Sequence, residues 1–218
     1  SPLWTERSIR RRMEVLRAPY GDTRDAARRL GGKINTAFLT AAAHAAGAYH
    51  DQLGAPVEML RASMAISTRT EASGGNAFTL ARFLVPTSPM PIAERFRMIQ
   101  EAADSARGAS GGVSLDTLAA VAAALPTSVI TRLARQQSQT VDFATSNVRG
   151  APIPMFFAGA QMLENYPVGP LGGVAFNLTL LSYNHSLDMG VNIDAAAVAE
   201  PAVLQRCLSK AFKELIAV

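Results

Sequence analysis

The sequence predicts a layered α/β sandwich in which helices flank a mixed sheet. Three observations carry that prediction. Short β-rich runs at 57–67, 78–85, 174–183 and 187–193 alternate with longer stretches of helical spacing at 34–52, 91–107 and 201–217. No internal repeat or low-complexity tract interrupts them, so strands and helices must close around a shared core. Hydrophobic residues make up 49% of the 218 and charged residues 17%, ample for one sizeable domain or two lobes sharing a sheet.

Each element has a local reason. Ile9, Met13 and Leu16 fall at i, i+4 and i+7, which predicts a short amphipathic helix with arginines opposite. Pro19-Tyr20-Gly21 breaks it, and Asp22 is placed to cap a second short helix that Gly31-Gly32 ends. From 34 to 52 a small-residue helix carries Ile34, Phe38, Ala41, Ala42 and Ala45 along one side. Residues 57–67 alternate as a strand (Val57, Met59, then Met64, Ile66), a polar loop covers 68–76, and 78–85 forms a second strand. Pro91 suits the first turn of a helix whose buried stripe is Ile92, Phe96 and Ile99. Ser110-Gly111-Gly112 reads as a hinge, followed by helices at 115–124 and 127–137 divided by Pro126. A β-like run at 140–144, an irregular apolar run at 153–163 and a Gly/Pro loop at 167–173 come next. The last two strands form a hairpin through Asn184-His185-Ser186 before the final helix.

Composition narrows the function classes. Cys207 is the only cysteine, so no disulfide forms within the chain; it reads as a small buried residue, and a reducing compartment is expected. No uninterrupted apolar run reaches ~18 residues, so no transmembrane helix is expected. The opening Ser1-Pro2-Leu3-Trp4 reads as a chain cut from something longer. Residues 1–33 hold nine Arg and Lys against four acids, while the whole chain carries only +4, so the basic character is concentrated there. Such a segment suits anionic lipid headgroups or phosphates, or is simply a solvated face. Nucleic acid is not expected, because no aromatic stacking platform is interleaved with the cations.

The stretch richest in chemistry is Ser146-Asn147-Val148-Arg149-Gly150-Ala151-Pro152. It offers a hydroxyl, an amide and a guanidinium before a Gly-x-Pro turn, where Gly150 gives backbone freedom and Pro152 holds Ala151 extended. Such a turn is able to aim Ser146, Asn147 and Arg149 into a cleft, as donors to an oxyanion or a phosphate. The other chemical classes lack their signatures. His44, His50 and His185 are scattered, no metal-ligand spacing exists, and neither Gly111-Gly112 nor Gly172-Gly173 is a phosphate-cradling motif. A nucleophile-elbow serine is absent too. His44 reads as a packed helix residue, His50 as a cation at a helix end, and His185 as a solvated turn residue.

Several ordered motifs widen the picture: Pro2-Leu3-Trp4, Asn35 at the start of the Ala-rich helix, the 146–152 stretch, Tyr166-Pro167-Val168-Gly169-Pro170-Leu171, and the run from Asn177 to Gly190. In this order they resemble the C-terminal half of the bacterial wax ester synthase/diacylglycerol acyltransferase family, over nearly the whole chain. The resemblance implies a chloramphenicol-acetyltransferase-like fold, of which this is one of two pseudo-equivalent lobes. Residues 33–218 then form the acyltransferase lobe and 1–32 a basic amphipathic linker or helical segment. That family carries a His-His-x-x-x-Asp-Gly motif in its N-terminal half, and this sequence has none.

The implied function is the C-terminal lobe of an acyl-CoA-dependent O-acyltransferase making triacylglycerol or wax esters, inactive alone. Acyl-CoA would be the co-substrate, with no covalently bound cofactor and no metal. Partners would be an N-terminal lobe supplying the histidine base, diacylglycerol or a long-chain alcohol, and a lipid surface reached from the cytoplasm. Asn35 and Asn147 would support catalysis, although Thr36 stands where the family has Asp. Ser146, Arg149 and Gly150 would bind substrate or CoA, while Pro152 and Asp188 would be structural. Leu178, Leu180 and Leu181 beside Phe156, Phe157 and Met162 would line an acyl tunnel or simply pack the core. A non-catalytic lipid-binding or partner-stabilising module of the same fold is the alternative.

Overall fold

The computed structural model describes residues 1–67, 78–109 and 141–218. The loop expected at 68–76 and the hinge and helices expected at 110–137 lie outside these residues. The strands are Arg11–Pro19 (β1), Met59–Ser67 (β2), Phe78–Pro86 (β3), Phe143–Arg149 (β4), Phe156–Phe157 (β5), Ala160–Gln161 (β6), Phe176–Tyr183 (β7) and Ser186–Asp194 (β8). The helices are Tyr20–Arg29 (α1), Ile34–Gln52 (α2), Ile92–Ala109 (α3) and Pro201–Ile216 (α4). One six-stranded sheet runs in the order β1-β8-β7-β4-β2-β3, and β5 pairs with β6 alone. It is mixed, as expected: β2, β4 and β7 are parallel, while β3, β8 and β1 run antiparallel to their neighbours.

The segment at 9–16 is not the amphipathic helix its spacing suggests. Residues 11–19 instead pair with β8 along its full length, Arg11 opposite Asp194 and Pro19 opposite Ser186. Two turns of helix are marginal in water, and nine ladder positions on a free sheet edge outweigh them. Alternation then buries Leu16 and Ala18 and leaves Met13 and Val15 exposed, while Ile9 is exposed ahead of the strand. Consecutive arginines and Pro19 on this outermost strand keep its edge from recruiting another chain.

α2 is the centre of the helical layer. Between Thr36 and His50 only His44 and Ala48 reach solvent, because small side chains let α4 and α3 approach it closely. The core joins α2, α3 and α4 to one face of the sheet through Leu60, Ala62, Phe143, Phe176, Leu178, Leu180 and Met189. Trp4 is sealed into this core against Phe176 (ring centroids 5.4 Å) and His50 (4.5 Å), which explains the opening Leu-Trp pair.

The opposite face is crossed by a strap at 165–171. Asn177 and Asn192, directly opposed on β7 and β8, donate from Nδ2 to the carbonyls of Pro170 (2.6 Å) and Gly169 (2.8 Å). Gly169 has no room for a side chain there, since a Cβ would lie 2.2 Å from Thr179 Oγ1. Beyond the strap's start, β5 and β6 form a small arm that turns at Ala158 and Gly159, both at positive φ.

Candidate functional site

Parallel strands bring their carboxyl ends to one edge of the sheet, and in open α/β sheets that edge is where ligands bind. Here the edge is made by the ends of β2, β4 and β7. The 146–152 stretch lies on it, in a form that differs from the expected turn. Residues 146–149 are strand, registered with β7 from Ser146 opposite Thr179 to Arg149 opposite Ser182. Strand alternation therefore puts Asn147 and Arg149 on the helix face and Ser146 on the strap face. Ser146 does not join the other two.

Asn35, in the first turn of α2, meets Asn147 at this edge. Asn147 Nδ2 donates to Asn35 Oδ1 (3.4 Å), and Asn35 Nδ2 donates to the buried Sδ of Met64 on β2 (3.4 Å). Both ends of the Asn35 side chain are thus engaged by strands of the sheet. Asn147 and Arg149 are exposed, and Arg149 forms no ion pair among the described residues. Gly150 is needed for space, not for unusual backbone angles: a Cβ would lie 2.4 Å from the Ser182 carbonyl. Its N–H donates to Ser182 Oγ (3.3 Å), and Ala151 accepts from the N–H of Asn184, so β4 leaves the sheet pinned to the β7–β8 turn.

The exposed arm begins there. Tyr183 OH donates to the Met162 carbonyl (2.7 Å) and accepts from the Met155 N–H (2.8 Å), clamping both legs at their root. Ile153, Phe156, Phe157 and Leu163 stand outside this clamp, with Phe157 80% exposed. Leu178 and Leu180 are closed inside the core instead, so the structure does not bring the two sets together as one acyl tunnel.

Asp188 is fully buried and holds three elements together. Its Oδ1 accepts from Arg17 Nε and Ser186 Oγ (2.8 Å each) and its Oδ2 from the Asn165 N–H (2.8 Å). Arg17 reaches on to Glu164, which also accepts from Tyr166 OH. Partial burial opposes the Arg17 charge, but Asp188 and Glu164 outweigh it and its pKa is raised. Sequence reasoning missed Arg17 and Met64: their roles depend on register between strands, and no local motif marks either.

The histidines sit elsewhere. His44 Nε2 meets Glu214 Oε2 at 2.7 Å between α2 and α4. It lies nine residues along α2 from Asn35, about 13 Å at the helical rise. His50 is buried, not the helix-end cation expected. Its Nδ1 donates to the Ala46 carbonyl (2.7 Å), its Nε2 accepts from Ser1 Oγ (2.8 Å), and burial pushes its pKa down. His185 is exposed in the β7–β8 turn at φ 67°. Cys207 is buried on α4, where burial raises its pKa.

The fold is of the type shared by wax ester synthase/diacylglycerol acyltransferases and condensation domains. The structure matches the wax ester synthase/diacylglycerol acyltransferase of Marinobacter aquaeolei VT8 with TM-score 0.74 at 22% identity, over 98% of this chain and 50% of that one. The condensation domain of the enacyloxin polyketide synthase matches at TM-score 0.61 and 13% identity, over 94% of this chain and 41% of that one. A sequence profile of the WS/DGAT C-terminal domain matches residues 74–216, and the chain belongs to that family. A Mycobacterium tuberculosis (strain H37Rv) protein provisionally named a diacylglycerol O-acyltransferase is 31% identical over 219 residues, covering 100% of this chain and 44% of the relative. The chain thus spans less than half the length of that relative.

Proposed function

We propose that this chain is the C-terminal lobe of a two-lobed O-acyltransferase that moves an acyl group from CoA onto diacylglycerol or a long-chain alcohol. The observation that carries the reading is the convergence of Asn35, Asn147 and Arg149 at the carboxyl edge of the parallel strands, in a chain belonging to this family. The preceding lobe would supply the histidine base. The base takes the proton of the acceptor hydroxyl, the oxygen attacks the thioester carbonyl, and the tetrahedral oxyanion collapses to release the ester and the CoA thiolate, which is then protonated. In this lobe Arg149 offers a charge for a phosphate or a developing anion. Asn35 and Asn147 orient substrate, with Gly150 and Pro152 shaping the strand exit and Asp188 bracing β1, β8 and the strap. Ser146 would act from the strap face, through the strand it shares with Asn147.

The exposed arm suits contact with that preceding lobe, since Phe156 and Phe157 are both largely exposed. Peripheral attachment to a lipid surface on the cytoplasmic side fits the exposed arginines of β1 and α1; no helix among the described residues is long and apolar enough to cross a membrane. Acyl transfer is tested by assaying the two-lobed protein with radiolabelled acyl-CoA and either diacylglycerol or hexadecanol. Labelled triacylglycerol or wax ester is expected. Lipid binding without ester formation would instead make the chain part of a binding module.

A further inference from the structure

Three side chains run in line from the core to the cleft edge. Met64 is 2% exposed, Asn35 is half-buried and Asn147 is exposed. A thioether has no proton to give, so Asn35 must turn its amino group toward Met64 Sδ. Its carbonyl oxygen is then committed to Asn147, which must turn its own amino group inward. Each amide is fixed by the one beneath it, and the order starts from an atom that only accepts.

We infer that Met64 and Asn35 are positioning residues, and that their relay makes Asn147 present its carbonyl oxygen outward to accept from an O–H or N–H donor on a substrate. A freely rotating carboxamide would offer either end; this one offers an acceptor. The oxyanion would then be met by Arg149 and by groups of the preceding lobe, since an outward carbonyl repels negative charge. The relay stands on geometry alone, whereas the assignment of its outer end to a substrate rests on the acyl-transfer reading. Two donors have the right chemistry: the hydroxyl of the acceptor alcohol and an amide N–H of the CoA arm.

The relay is tested in the 218-residue chain labelled with ¹⁵N, the side-chain amide signals being assigned through Asn35→Asp and Asn147→Asp. Met64→Leu keeps the volume and removes the acceptor. Both the Asn35 and the Asn147 amide signals should move, although only Asn35 touches Met64. Asn35→Ala should bring the Asn147 signals to free-amide values. Unmoved Asn147 signals in both variants would overturn the relay. In the two-lobed protein, Met64→Leu should raise KM about twofold for the substrate that carries the donor, since a freed Asn147 amide offers its oxygen in roughly half of its orientations. A change confined to the alcohol assigns the hydroxyl, and one confined to acyl-CoA assigns the amide. Unchanged KM for both overturns the outward-acceptor role, while absence of any acyl transfer removes the functional reading and leaves the relay intact.

Discussion

At the scale of single residues, magnitude separates two roles for Asn147. If its carbonyl oxygen accepts from substrate, Asn147→Ala in the two-lobed protein should lower kcat/KM about tenfold, with the melting temperature within a few degrees. A positioned oxyanion donor would cost ~10²–10³-fold in kcat instead. Steady-state kinetics with a thermal melt decide between them. Asp194 offers a pH test. Burial would raise its pKa, but the Ser8 N–H and hydroxyl, the Ala196 N–H and Arg11 more than compensate and hold it below the ordinary carboxylate value. A depressed carboxylate stabilises the fold above its unfolded pKa of about 3.9 and loses that contribution as pH falls through the folded value. Asp194→Asn should therefore melt lower than wild type at pH 7, with the gap starting to close at about pH 4 and vanishing only below the folded value. A constant gap across that range would show that the ionised form is not what stabilises. Legibility at this scale was uneven. Asn35 and Asn147 stood out through their motifs, and the structure brings them into contact. The buried state of His50 was hidden, because its partners Trp4 and Ser1 lie far off in sequence.

At the scale of elements, sequence periodicity succeeded wherever an element was long or had a strong turn. The 34–52 helix, the hairpin through Asn184 and His185, and the final helix from Pro201 all stand where pattern placed them. β1 failed because three apolar residues over eight positions fit a helix as well as a strand, and only the free edge of β8 resolves the choice. The consequence for lipid binding is specific. A strand does not insert an apolar helical face, so attachment through this segment would be electrostatic. Arg10, Arg11 and Arg12 changed together to Gln should reduce co-sedimentation with anionic vesicles, and raised salt should reduce it in wild type. Unchanged sedimentation would make these arginines edge protection only. Trp4 anchors the entry to β1 from inside the core. Trp4→Ala should cost about 3–5 kcal/mol in urea unfolding, the usual range for a buried aromatic. A loss under 1 kcal/mol would contradict its place in the core.

At the scale of the whole molecule, the described residues form a sandwich closed by helices on one face, with the edge at Asn147 and Arg149 left open among them. Helices and strap cover most of the sheet, yet Asn147, Arg149 and the arm tip remain uncovered where the parallel strands end. An acyltransferase reaction needs a base there, and none of the three histidines lies in the 146–152 stretch or hydrogen-bonds to Asn35 or Asn147. The layered fold was legible in the sequence because alternation and helical spacing act locally. The openness of the edge was not, because it is defined by which faces lack a neighbour. The central claim is that this lobe completes a cleft with a second lobe. It is tested most directly by measuring triacylglycerol formation from acyl-CoA and diacylglycerol with the 218-residue chain alone, and again with an added lobe bearing a His-His-x-x-x-Asp-Gly motif. No turnover alone and turnover on addition is the predicted result; turnover by the isolated chain, abolished on changing His44 or His185, would contradict it.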